Sequence, residues 1–182
     1  LKNNKFAKKF EMIGEMFSYP NAKEIDLGKK VSKIKKRDNI LITVTNLKEG
    51  HPYKAEGVKL IIDSLNNVLD KNPNIKLIVV GGGGLLSQCK EYANRKDYSD
   101  HIIFTGYIDR NKIPSLLKSS DIFLYSSEVD GYPTTVLEAR AAGLPLLIGN
   151  QAGLPEAAGG AGILAKPTAK DFAEKINELL EN

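Results

Sequence analysis

Asp130 and Glu138 are two carboxylates with seven residues between them, in the run Asp130-Gly131-Tyr132-Pro133-Thr134-Thr135-Val136-Leu137-Glu138. A Gly-Tyr-Pro turn opens what reads as a helix over 133–142, and the second acid falls just over one turn inside it. An ionised carboxylate only accepts hydrogen bonds, so it suits paired hydroxyl donors such as a vicinal diol. The amides of residues 131–135 would face an anion, because the first N–H groups of a helix lack acceptors within it and lie at its positive end. Together these features describe a place to hold a polyhydroxylated, anionic ligand. Each acid also has a plainer reading. Asp130 before Gly131 is a turn former, and Glu138 gains about 0.3–1 kcal/mol from the helix dipole alone. Glu128-Val129-Asp130 matches the acid-x-acid pattern of metal-diphosphate sites, but a three-residue match carries little weight.

The elements that must position these acids alternate along the chain. Strand-like apolar runs fall at 40–44, 75–80, 101–104, 121–125, 144–148 and 162–165. Helical patterns fall between them at 57–70, 85–94, 112–118 and 133–142, and a last helix at 168–180. Alternation at these lengths predicts βαβ units and a parallel sheet. The strands are continuous apolar runs, as expected when helices cover both faces. The predicted fold is therefore α/β, a Rossmann-like doubly wound parallel sheet of about six strands. Gly143 marks a helix C-terminus, and Pro133 marks an N1-type helix start. In open sheets of this kind ligands bind beyond the carboxyl ends of the strands. Those ends are rich in glycine: Gly81 to Gly84, Gly106, Gly131, Gly149 and Gly153.

Bulk properties narrow the function. The chain has 182 residues, 42% of them hydrophobic, and a net charge of +4. No apolar run approaches the roughly 20 residues of a membrane helix. The N-terminus, Leu1-Lys2-Asn3-Asn4-Lys5, has no apolar stretch of the secretory type, and it starts with Leu, as an excised piece would. A lone Cys89 excludes an internal disulfide and suits a reducing, cytoplasmic compartment; no His/Asn constellation makes it a nucleophile. The two histidines, His51 and His101, are too few for a histidine metal cluster. Lysines gather towards the N-terminus without any nucleic-acid motif, so they read as a solvated face. Phe6, Phe10, Ile13 and Phe17 form one helical stripe flanked by Lys5, Lys8 and Lys9. The stripe fits packing on a domain, or contact with the cytoplasmic face of a membrane. Residues 29–38 read as a charged linker.

The Gly81-Gly82-Gly83-Gly84 run is not a dinucleotide fingerprint. That pattern needs glycine at the first, third and sixth positions after the first strand, whereas here the sixth is Leu86 and the strand is the second. A nicotinamide-dependent oxidoreductase is poorly supported. A tight turn, or a loop against a phosphate or a flat base, both remain open.

The run from Asp121 to Glu156 resembles the donor-site signature of family 4 glycosyltransferases: acid-Gly-aromatic-x4-Leu-Glu-Ala, small residues, Gly-x-Pro, then a Gly-x-Pro-Glu loop. Phe104-Thr105-Gly106-Tyr107, Leu77 to Gly81 and Gly162 to Ala165 also fall where that family has them. The resemblance covers about residues 39–180. It implies the GT-B architecture, in which two Rossmann-like domains face each other across a cleft. This chain would be the C-terminal, nucleotide-sugar-binding domain (39–182), preceded by a helix and linker (1–38), with the acceptor-binding domain absent. The implied activity is retaining transfer of a hexosyl-type group from a nucleotide-diphosphate sugar to a sugar, lipid-linked or polysaccharide acceptor, with no metal or cofactor. Such a fragment is expected to bind donor weakly without turnover. By the same resemblance Glu138 holds the ribose and Asp130 the donor sugar, as the candidate catalytic pair. Gly131, Tyr132, Pro133, Thr134 and Thr135 line the sugar and phosphate site. Tyr107 with Gly81 and Gly82 flanks the base, and Lys54 reaches the diphosphate. Two departures stand out. Asp130 is one methylene shorter than the usual Glu, leaving Glu128 as a substitute. Asn46 replaces the usual Arg after the first strand, leaving Lys54, Lys48 or backbone amides for the phosphates. A non-catalytic nucleotide- or sugar-binding module of the same fold is the alternative.

Overall fold

The computed structural model describes residue 34 and residues 38–181. The stripe at Phe6 to Phe17 and most of the charged linker lie outside the described residues. Six strands form one parallel sheet: β1 (Asn39–Val44), β2 (Ile75–Val80), β3 (Ile102–Gly106), β4 (Ile122–Tyr125), β5 (Leu146–Gly149) and β6 (Gly162–Ala165). Their order across the sheet is β3-β2-β1-β4-β5-β6. The helices are α1 (Pro52–Leu69), α2 (Leu86–Asn94), α3 (Ile113–Lys118), α4 (Thr134–Ala141), α5 (Leu154–Ala158) and α6 (Ala169–Glu181). The doubly wound α/β expectation holds, as does the parallel sheet of six strands.

Side chains alternate across each strand, so the central strands feed two cores. Leu41, Leu77, Val79, Leu124 and Leu147 pack beneath α1, α2 and α6 with Val58, Ile62, Leu65, Cys89 and Phe172. Ile40, Ile42, Ile78, Phe123 and Ile148 pack on the other face beneath α3, α4 and α5 with Leu117, Val136 and Leu154. Burial on both faces is what the continuous apolar runs demanded.

The largest departures from the sequence expectations are at two helices. α1 starts at Pro52, not Gly57, because Pro52 takes the first helical turn, where its missing N–H costs nothing. α5 was not anticipated. It is five residues long, with Pro155 in its first turn and Gly159 ending it in the left-handed region at φ 59°, so it is too short to show periodicity. Gly143 ends α4 with φ 77°, as expected. Pro133 occupies the N-cap position of α4 in extended backbone (φ −69°, ψ 123°) without capping it by a side chain, so its place is one residue earlier than an N1 position.

β1 and β4 lie side by side, with Leu41 opposite Ile122 and Ile42 opposite Phe123. The chain leaves β1 for α1 on one face and leaves β4 for α4 on the other. Their carboxyl ends therefore flank a topological switch point, the place where open α/β sheets bind ligands. No helix among the described residues is long and apolar enough to cross a membrane.

Cys89 is fully buried in the α1–α2–α6 core. Burial pushes its thiol up to about 11, partly opposed by Lys59. At pH 8 only about a thousandth is thiolate, the reactive form. Iodoacetamide is expected to leave Cys89 unmodified in the folded chain and to alkylate it fully in denaturant, read by intact mass. Rapid labelling without denaturant would contradict this packing.

Candidate functional site

Four segments meet at the switch point: the exit of β1 (Thr45, Asn46), the first turn of α1 (Tyr53, Lys54), the exit of β4 (Tyr125, Ser126, Ser127), and the loop from Glu128 into α4. α4 begins without a side-chain cap and with no acid in its first turn. Its leading amides are thus open to an anion.

Asp130 is turned into this site. Its Oδ2 accepts a hydrogen bond from the Tyr125 phenol at 2.5 Å. Its Oδ1 lies 3.4 Å from Lys54 Nζ, and the two side chains are only 15% and 17% exposed. Burial, and then the bond to Asp130, push the Tyr125 phenol well above its ordinary range, with the Thr45 hydroxyl beside it acting the other way. Lys54 is therefore not a solvated loop lysine: the early start of α1 brings it onto Asp130. Lys48, the other candidate, sits exposed in the turn before α1. Glu128 is exposed too, so of these two acids it is Asp130 that faces inward.

Glu138 lies in the second turn of α4, with its side chain 32% exposed and 3.6 Å from Arg110. Arg110 opens the short turn Arg110–Lys112 after β3. Its side chain is 87% exposed, so this pair contributes only about 0–1 kcal/mol and leaves the carboxylate available. Asn46 Oδ1, Ser127 Oγ and Thr135 Oγ1 are buried and hydrogen-bond to no described residue. Each such burial costs about 1–3 kcal/mol, and all three fall at this one rim. Gly131, Tyr132 and Thr134 are exposed there, with Pro133 half-buried between them.

The glycine run after β2 is tied to the exit of β1. Leu47 N donates to Gly82 O at 3.0 Å, and Leu85 N donates to Leu47 O at 2.9 Å. Gly81 has φ 127°, and a Cβ there would lie 1.7 Å from the Thr45 carbonyl. Close backbone packing thus accounts for Gly81. Gly82 lies under the ring of Tyr107, which is 66% exposed and presents a flat aromatic face at the rim. Among the described residues no group of three or more His, Cys, Asp or Glu gathers as metal ligands.

The sequence reading named Asp130, Glu138, Lys54 and the 131–135 run, and the fold brings them to one edge. It missed Tyr125, read only as a strand residue, and Arg110. The one legible signal for Tyr125 was a phenol closing an otherwise aliphatic and phenylalanine strand, five residues before Asp130.

Sheet order and switch point define the class: a Rossmann-like doubly wound α/β domain. The family model for glycosyl transferases group 1 matches residues 24–182, and the chain belongs to that family. It is 32% identical over 128 residues to the UDP-Gal:alpha-D-GlcNAc-diphosphoundecaprenol alpha-1,3-galactosyltransferase of Escherichia coli, covering 69% of this chain and 31% of that one. It is 29% identical over 108 residues to a GDP-mannose-dependent alpha-(1-6)-phosphatidylinositol monomannoside mannosyltransferase of Mycobacterium tuberculosis, covering 56% of this chain and 28% of the other. The chain thus spans about a third of the length of these curated relatives. Anabaena HepE in complex with UDP-glucose shares the fold, with TM-score 0.69 and 21% identity over 85% of this chain and 42% of that chain. The C-terminal domain of a group 1 glycosyl transferase, LpcC of Francisella tularensis, superposes with TM-score 0.66 and 24% identity, covering 88% of this chain and 84% of that one.

The loop carrying Asp130 is braced by the start of α5. Gly153 N donates to Asp130 O at 3.3 Å, and a Cβ on Gly153 would lie 1.7 Å from Gly131 O. Gly153→Ala is expected to push residues 130–133 outward at a cost of about 1–3 kcal/mol. The amide resonances of residues 130–132 should shift while those of β1 and β2 stay in place. Unmoved resonances at 130–132 would show that the two loops are not in this contact.

Proposed function

We propose that this chain is the donor-binding half of a retaining glycosyltransferase and holds a nucleotide-diphosphate sugar at the β1–β4 switch point. The observation that carries the reading is the uncapped start of α4 with an inward carboxylate just before it, a second within it, and Lys54 beside the first. A diphosphate would lie against Lys54 and the amides of Gly131, Tyr132, Thr134 and Thr135. Glu138 would accept hydrogen bonds from the ribose diol, Asp130 from the donor sugar, and Tyr107 would offer its face to the base. Negative charge grows on the diphosphate as its bond to the sugar breaks. Fixed amides and a lysine oppose that charge in a partly desolvated site, usually the largest catalytic effect. In this reading the charge is met by protein groups, without metal or cofactor. The acceptor hydroxyl enters on the face the diphosphate leaves, which retains configuration.

The relatives named above act on UDP-galactose and GDP-mannose, which supports a nucleotide-sugar donor without choosing the nucleotide. A sugar, lipid-linked or polysaccharide acceptor belongs to the same proposal. So does a cytoplasmic setting, which a lone buried thiol suits. With the acceptor bound on a partner domain, the 182 residues alone are expected to bind donor weakly and not to transfer.

Titration of the chain with UDP-, GDP- and ADP-sugars should find one nucleotide preferred. Glu138→Ala should weaken that binding roughly 10- to 100-fold, the worth of hydrogen bonds to a charged group. Equal affinity in the variant would sink the ribose assignment. Robust transfer by the chain alone would overturn the assignment of the acceptor to a separate domain.

A further inference from the structure

Tyr125 closes β4 with its ring buried and stacked on Phe123, the centroids 6.2 Å apart and the planes 5° apart. The stack lies in the core beneath α3, α4 and α5, so the ring cannot swing and its phenol oxygen has one position. That oxygen donates to Asp130 Oδ2, while Lys54 faces Oδ1. Around Asp130 the loop is open: Glu128, Val129, Gly131 and Tyr132 are all exposed. A short acid in such a loop has several rotamers to choose from, and two opposed partners select one. A carboxylate offers about four lone-pair positions, so acceptor capacity remains on both oxygens after Tyr125 and Lys54 have taken their share.

We propose that Tyr125 is a positioning residue, whose phenol fixes the Asp130 carboxylate so that its remaining lone pairs meet the hydroxyls of the donor sugar. The proposal rests on the reading of Asp130 as the sugar contact. Tyr125 touches the carboxylate and not the ligand. Its phenol also stays protonated, since burial and the anionic partner both resist loss of the proton. It is therefore a fixed donor, not an acid or base of the reaction. A merely structural hydroxyl would influence the whole site alike. A positioning hydroxyl influences the sugar and spares the nucleotide.

The test reads the ratio of affinities within matched pairs, UDP-galactose against UDP and GDP-mannose against GDP, on this chain. In the pair that binds, Tyr125→Phe is expected to lower the sugar's contribution about tenfold and to leave nucleoside diphosphate affinity close to wild type. In an Asp130→Asn background the same substitution should add no further loss, because the phenol acts only through the carboxylate. If Asp130→Asn lowers the ratio and Tyr125→Phe does not, the positioning role is overturned and the sugar contact stands. If Tyr125→Phe weakens both members of the pair equally, its role is structural and the proposal fails. If Asp130→Asn leaves the ratio intact, the sugar contact itself is wrong and the positioning role goes with it.

Discussion

The pairing of β1 with β4 is the constraint on which everything else at the rim depends. These strands are adjacent in space and about eighty residues apart in sequence, and their hydrogen bonds set the exits of both at one level. From that edge the chain departs in opposite senses, to α1 and to α4. The diverging connections leave a gap above the sheet edge there. Asn46, Lys54, Tyr125, Ser127 and Asp130 meet because that gap exists. The apolar alternation that buries Leu41 on one face and Ile42 on the other holds the two exits in register. A one-residue slip would turn every core side chain to the wrong layer.

Charge at the rim is arranged in opposed pairs. Lys54 lies on Asp130, and Arg110 lies near Glu138. The two pairs differ in environment. The first is mostly withdrawn from solvent, where attraction is less screened and an unmatched charge would be costly. The second is open to water and weak. The inner acid is therefore held in place, while the outer one is free to exchange its partner for a ligand. The buried hydroxyls of Ser127 and Thr135 and the Asn46 side-chain Oδ1, without partners among the described residues, add polar capacity between them.

Much of the fold could be read from the chain because its signals are local. Ile75–Val80 and Gly162–Ala165 are strands bounded as their apolar runs suggest. The start of α1 was misplaced because the stretch from His51 to Glu56 is polar and shows no stripe; only Pro52 marked it. α5 escaped because five residues cannot display a 3.6-residue period. At the site, Asp130 and Glu138 were legible from their spacing around a helix start. Their partners were not. Lys54 meets Asp130 across 76 positions of sequence, through the β1–β4 pairing. Tyr125 meets it five positions along the chain, through the curvature of the β4–α4 loop. Sequence spacing encodes neither distance.

The backbone bond from Gly153 to Asp130 has a dynamic consequence. Because the β4–α4 loop leans on the start of α5, neither can open alone without losing that bond and exposing the packed backbones of Gly131 and Gly153. This shared contact couples local opening of the two loops. The connection from β5 to β6, which α5 makes, is thereby drawn into the energetics of the site.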